Sequence, residues 1–272
     1  MLKKTPHKIA FNTIYLISST IINSILGFAR QIFIANILGP SQFGSWNLIR
    51  VILGYTHYFD FGANTGVLYE RPKYIGRGKL DEAKEIRQQG FLFVLVLSIV
   101  LTFATLLISF MPIKVINDYS TIIYFLAISI PLFSLINFYN VEARIVGNFK
   151  DLSISMIIGG FTSLIFTIII SMFVKNNVVE WVVISWLFGM FLSLIYLAVN
   201  IHISSFVRPN PKVIQKILLV GFTLSLVPIV IILFRTVDRW ILTSILTSTD
   251  FGYYAFGMTI GMFLYTIPNT LG

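Results

Sequence analysis

Four stretches of more than twenty residues, Gly90 to Ile113, Tyr119 to Val141, Leu152 to Val174 and Trp181 to Ile203, run without one formally charged side chain. A helix rises about 1.5 Å per residue, so each stretch matches a hydrocarbon core about 30 Å thick. Lipid offers no water to a backbone N–H or C=O, and a single segment that crosses it satisfies those groups internally only by coiling into a helix. The expected fold class is therefore an all-α integral membrane protein. Charged residues make up only 11% of the chain, against about 25% in a soluble domain, too few to coat a surface in water.

Four further spans, 9–38, 42–69, 217–246 and 250–272, carry a few charges each and bring the expected number of transmembrane helices to about eight. Lys3, Lys4 and Lys8 precede an apolar run, as in a signal peptide. The run is too long and lacks a small-residue cleavage site, so it reads as the first spanning helix. The longest polar interval, Glu70 to Gln89, is expected to be a cytoplasmic loop with a short amphipathic helix.

The formal charge of +9 invites a nucleic-acid partner. Topology explains it instead. With the N-terminus inside, fourteen Lys and Arg gather on one side, and only Lys114 and Lys175 fall on the other. Lys and Arg in short loops set orientation, so both termini are expected in the cytoplasm and no nucleic acid is needed. Cysteine is absent, which excludes disulfides and thiolate metal sites. Neither a Gly-x-x-x-x-Gly-Lys-Ser/Thr phosphate loop nor a His-Glu-x-x-His metal motif occurs. No enzyme activity, cofactor or metal is expected.

The four remaining basic residues, Arg30, Arg50, Arg235 and Arg239, lie inside spans. A cation at the centre of a membrane helix costs about 2.5–3.5 kcal/mol on insertion scales, whereas a Leu returns only about 0.3–0.6. Such residues normally face water or a partner. Arg50 lies about 12 Å deep, counting inward from Gln42 at about 1.5 Å per residue. His57 follows two turns later, with Asp60 beyond, which suggests a polar stripe facing a hydrated cavity. Asp60 is expected to pair structurally with Arg50 or His57, the alternative being a coupling cation. Arg30, Arg235 and Arg239 lie nearer span ends, where a long side chain can snorkel to the headgroups. Arg235 and Asp238, three residues apart, could also form a local ion pair. Four guanidinium groups with almost no intramembrane acid make a cationic interior, and guanidinium suits phosphate oxygens.

The first and seventh spans end alike: Ile37 to Gly44 matches Ile245 to Gly252 in four of eight positions, with Phe-Gly opening the next helix each time. Six spans separate the copies, the pattern of a parallel repeat in a two-lobed transporter. Gly27-Phe28-Ala29-Arg30-Gln31, Ile37-Leu38-Gly39, Phe43-Gly44, Asp60-Phe61-Gly62 before a basic loop, and Val237-Asp238-Arg239 leading to Phe251-Gly252-Tyr253-Tyr254 complete the picture. On these segments the chain resembles the polysaccharide and O-antigen flippases of the multidrug/oligosaccharidyl-lipid/polysaccharide exporter superfamily. The Gly-Phe-Ala-Arg segment is also similar to the lipid II flippases, whose arginine lies in a cationic central cavity. That role would fall to Arg30.

The resemblance implies two six-helix lobes that move an undecaprenyl-pyrophosphate-linked oligosaccharide outward across a bacterial cytoplasmic membrane by alternating access. Residues 1–203 would form one complete six-helix lobe, 204–216 a cytoplasmic linker, and 217–272 the first two helices of a second lobe. Members of that superfamily have twelve or more spans, so the chain reads as a fragment or a decayed copy. The nearest rival is a drug or cation antiporter of the same superfamily. It should carry several intramembrane carboxylates, and Asp60 and Asp238 are the candidates here. A non-transporting membrane subunit that docks with glycosyltransferases or polymerases is the binding alternative. A membrane glycosyltransferase is disfavoured, because the external acids Asp118, Glu180 and Asp250 are scattered. Two further features concern packing. Ser155, Gly159 and Ser163 recur every four residues and should let a helix approach closely. Pro228, before Arg235, is the expected hinge.

Overall fold

A computed structural model describes residues 6–109, 120–203 and 207–271. Eight α-helices occur among them: α1 Pro6–Tyr55, α2 Ala63–Gly76, α3 Leu80–Ser109, α4 Ser120–Val146, α5 Phe149–Phe173, α6 Val178–Asn200, α7 Pro211–Ile245 and α8 Ser248–Leu271. No strand occurs among the described residues. Among the described residues six helices are long and apolar enough to cross a membrane. Large side chains such as Phe173, Phe234 and Met172 are exposed on their outer surfaces, as expected where lipid replaces water. Lys3, Lys4 and Lys114, used in the orientation count, and the external acid Asp118 lie outside the described residues, as does part of the 204–216 linker.

Between the expected spans 9–38 and 42–69 the chain makes a kink rather than a loop. Gly39 takes φ 66° and ψ 173°, and Pro40 restarts the helix, so α1 is two arms joined end to end. Glycine tolerates that conformation, and proline suits a first helical turn.

Two expectations fail in the next segment. The second span is not one helix. It stops at Tyr55, passes through a 3-10 turn at Thr56–Tyr58, and resumes as α2 at Ala63. Phe61 (φ 50°) and Gly62 (φ 82°) turn the chain here. A Cβ on Gly62 would lie 2.5 Å from the Gly221 carbonyl of α7, so glycine serves both the turn and the close approach. Nor is Glu70–Gln89 a loop with a short helix. Helix α2 continues to Gly76, Gly78 turns the chain at φ 75°, and α3 begins at Leu80. The residues are polar but mostly good helix formers. Asp81 and Glu82 in the first turn of α3 also oppose the positive helix terminus.

The described helices form two compact units. One contains Leu53–Asn148 and Leu197–Phe234. Its centre is Val67, Phe91, Val94, Ile130, Phe133 and Phe138, all buried. Phe91 and Phe138 meet edge to face at 5.3 Å, a geometry worth about 0.5–1.5 kcal/mol beyond burial alone.

The other unit contains the chain up to Ile52, Phe149–Tyr196 and the chain from Arg235. Helices α5 and α6 pack through small residues. Gly159, Ser163 and Thr167 meet Ser185, Gly189 and Ser193, and a Cβ on Gly189 would lie 2.6 Å from the Gly159 carbonyl oxygen. Close backbone approach of this kind drives association where lipid removes the hydrophobic force between helices. The α6 half of the stripe is visible in the sequence at the same four-residue spacing.

The two repeat copies touch in this unit. They stand 208 residues apart, Gly44 to Gly252. A Cβ on Gly44 would lie 3.0 Å from the Ser248 carbonyl oxygen, and one on Gly252 would strike the Pro40 carbonyl. Pro40 and Ser248 are themselves equivalent positions, so the contact is reciprocal.

Candidate functional site

All four intramembrane arginines belong to the unit that holds α1, α5, α6, the end of α7 and α8. Arg30 is 5% exposed. Its Nε donates to Thr167 Oγ1 at 3.0 Å, and its Nη2 donates to the Val182 carbonyl at 3.0 Å and to Ser185 Oγ at 3.3 Å. The guanidinium lies 5.3 Å from the centroid of the Trp46 ring, and Trp46 Nε1 donates to Gln31 Oε1 at 3.0 Å. Arg30 therefore docks on the end of the α5–α6 stripe and does not snorkel. Every one of these hydrogen-bond acceptors is neutral, which leaves the positive charge uncompensated.

Arg50, half-buried on the second arm of α1, feels the charges of both Arg30 and Arg239. Arg50 is thus the shared electrostatic neighbour of two other arginines, Arg30 and Arg239. Arg235 is exposed on α7, with its guanidinium 5.7 Å from the Tyr265 ring centroid. No carboxylate among the described residues lies within ion-pair distance of any of the four. The local pair between Arg235 and Asp238 is therefore not formed. Instead the Tyr254 hydroxyl donates to Asp238 Oδ2, while Asp238 Oδ1 is buried with no donor. At the 208-residue offset Arg30 corresponds to Asp238 and Trp46 to Tyr254, so one repeat position carries opposite charges in the two copies.

Pro228 lies within a continuous α7. A cavity of about 480 Å³ opens between the kink of α1 and the α5–α6 turn, lined by Gln42, Lys175, Asn177 and Glu180 among others. None of the four arginines lines it.

His57 and Asp60 belong to the other unit. They do not continue the helix that carries Arg50, which ends at Tyr55, so the expected polar stripe is replaced by a break. His57 Nδ1 lies 3.0 Å from Asn137 Nδ2, and its ring centroid 4.1 Å from that of Phe133. Asp60 forms no ion pair among the described residues, with Arg50 and His57 included. Its Oδ1 accepts from the Gly62 N–H at 3.1 Å and its Oδ2 from the Asn64 N–H at 2.9 Å, capping α2.

Sequence reading missed Glu142, which directly follows the charge-free run ending at Val141. It is fully buried, accepts from Arg71 Nη1 at 2.5 Å, and lies 3.9 Å from Arg87 Nη1. One carboxylate thereby joins α2, α3 and α4. The other overlooked centre is Glu70, which accepts from Lys73 Nζ at 2.6 Å and Lys216 Nζ at 2.9 Å. Burial opposes its charge, yet the two lysines hold the carboxyl below its usual range. Among the described residues no cluster of three His, Cys, Asp or Glu offers a metal centre.

Solved structures with a similar fold include MATE family transporters of the MOP superfamily. A MATE mutant matches with a TM-score of 0.63 at 14% identity, covering 94% of this chain and 65% of its own. A MATE in complex with Br-NRF gives 0.66 at 15%, covering 95% and 67%. A Pyrococcus furiosus MOP superfamily transporter, reported with a binding pocket of reverse polarity that suggests a different function, gives 0.59 at 15%, covering 94% and 64%. The chain thus spans about two thirds of the length of these structures, and at such identities the likeness is one of fold. No curated protein sequence matches. The sequence profile of the family described as "Polysaccharide biosynthesis protein" matches residues 9–271, nearly the whole length, and the chain belongs to that family.

Proposed function

We propose that this multi-pass membrane protein serves as a carrier, not an enzyme, for an undecaprenyl-pyrophosphate-linked oligosaccharide bound for surface polysaccharide, in a bacterial cytoplasmic membrane with both termini inside. Family membership and the MOP-type fold support a carrier of this class. The observation that carries the reading is that Arg50 stands within electrostatic reach of both Arg30 and Arg239, with no neutralising carboxylate beside them among the described residues. Like charges held together in a membrane-spanning unit repel at low dielectric, and an anion relieves them. A pyrophosphate headgroup supplies that charge and has to shed its hydration to cross.

In this reading Arg50 and Arg239 contact the phosphates, Arg30 contributes its field from an anchored position, and Arg235 meets the ligand from the exposed side of α7. Pro228 bends α7 as the arginines change exposure. Glycosyltransferases or polymerases that make the glycan would be neighbours in the membrane. An antiporter for cationic drugs would instead depend on Asp60 or Asp238, and the cationic group argues against it.

The test is complementation of a flippase-deficient strain, using the natural gene product that contains this chain. Arg50→Ala should abolish surface polysaccharide and Arg50→Lys should retain part of it, since lysine keeps the charge but not the fork. Wild-type polysaccharide from Arg50→Ala would overturn the reading. Efflux of a cationic dye that depends on Asp60 would favour the antiporter.

A further inference from the structure

The cavity of about 480 Å³ between the kink of α1 and the α5–α6 turn has the size of a small-molecule site, and the carrier reading makes no use of it. Helices α5 and α6 are both long and apolar enough to cross a membrane. Their charge-free runs stop at Val174 and resume at Trp181. The cavity therefore opens at the level of the lipid headgroups.

Two opposite charges line it. Lys175 is exposed and Glu180 half-buried, and neither forms an ion pair among the described residues. An ammonium and a carboxylate that share a cavity without pairing can each take a partner of opposite sign. The start of α6 adds donors. The Asn177 carbonyl accepts from the N–H groups of Glu180 and Trp181. Those of Val178 and Val179, both in the cavity wall, are left without a partner inside the helix. Free backbone N–H groups at a helix start, with a lysine just before them, suit a phosphate. Glu180 suits an ammonium, and Ile37 and Leu38 add an apolar wall.

This arrangement selects against simpler ligands. A plain anion would meet Glu180 as a like charge, and a plain cation would meet Lys175 the same way. A neutral sugar would cover both charges and balance neither. A phosphodiester joined by a short arm to a primary ammonium, with acyl chains beside it, answers every group in the wall. We propose that this cavity binds the headgroup of an ethanolamine phospholipid, its phosphate on Lys175 and the start of α6, its ammonium on Glu180. The site does not involve the four intramembrane arginines and does not rest on the carrier reading.

Thermal unfolding of the purified full chain in detergent, at fixed pH and ionic strength, provides the test. Phosphatidylethanolamine, phosphatidylcholine and phosphatidylglycerol with the same short acyl chains are titrated in turn. The midpoint should rise saturably with the ethanolamine lipid at the lowest concentration. Choline replaces the N–H donors with methyl groups, and glycerol has no charge for Glu180. Glu180→Gln should raise the half-saturating concentration of the ethanolamine lipid by at least about tenfold, the loss of one charge-assisted hydrogen bond. Glu180→Lys puts two cations in the cavity and should turn the preference to phosphatidylglycerol. Lys175→Gln should weaken all three lipids. Because the readout is half-saturation and headgroup preference, a change in the lipid-free midpoint does not affect it. The proposal is overturned if the wild-type protein answers to none of the lipids or to all three alike. It is overturned equally if glycerophosphoethanolamine, which lacks acyl chains, acts as well as the lipid, or if either Glu180 variant keeps the wild-type preference.

Discussion

Gly252 of α8 abuts the Pro40 carbonyl of α1 so closely that no side chain fits between them, while Gly44 makes the matching approach to Ser248 with more room. The two copies of the repeat thus hold each other by the same backbone contact, made twice and unequally.

That inequality can be measured. Gly252→Ala should destabilise the protein by about 1–3 kcal/mol, the cost of overpacking a filled site. Gly44→Ala should cost less, because its Cβ would meet the Ser248 carbonyl at 3.0 Å. Thermal unfolding of the two variants in detergent should rank Gly252→Ala well below Gly44→Ala. Equal midpoints would contradict the packing.

Arg30 should be more sensitive to shape than to charge in its contribution to stability. Its hydrogen bonds to Thr167, Val182 and Ser185 come from a planar fork, which lysine cannot reproduce. Arg30→Lys should therefore lower stability by about 1.5–3 kcal/mol, the range for hydrogen bonds to a charged group. Unfolding midpoints check the loss. A lysine variant as stable as wild type would show that the fork is dispensable.

Glu142 should be the most costly of the buried acids to neutralise. Glu142→Gln leaves Arg71 and Arg87 without their counter-charge, and breaking a buried pair on one side costs about 3–5 kcal/mol. Replacing Arg71 and Glu142 together with apolar residues should recover part of that loss. A double-mutant cycle on unfolding free energies gives the coupling, and additive effects would rule out the ion pair as a clamp.

The helices were legible because hydrocarbon imposes both their composition and their length. The end of the first span was legible too, since Gly39-Pro40 can hardly continue a helix, but the direct restart at Pro40 was not. Nor was the break at 56–62. His57 and Asp60 lower the hydrophobicity there, but a polar stripe on a continuous helix would do the same, and the closing of Gly221 on Gly62, far along the chain, is not visible in the sequence. The same distance in sequence hid the clamp at Glu142, whose partners lie on two other helices. Arg30, Arg50 and Arg239 could be nominated from cost alone. Which of them would be anchored depended on Thr167 and Ser185, whose hydroxyls look like ordinary packing residues in a sequence.

The anchoring of Arg30 also sets a timetable for biogenesis. Its hydrogen-bond acceptors lie 137 and more residues downstream, so a ribosome completes α1 long before α5 and α6 exist. Until they arrive, the nascent helix has to keep its cation hydrated at the translocon or among lipid phosphates. Its release into the bilayer interior is thereby coupled to synthesis of the hairpin that receives it.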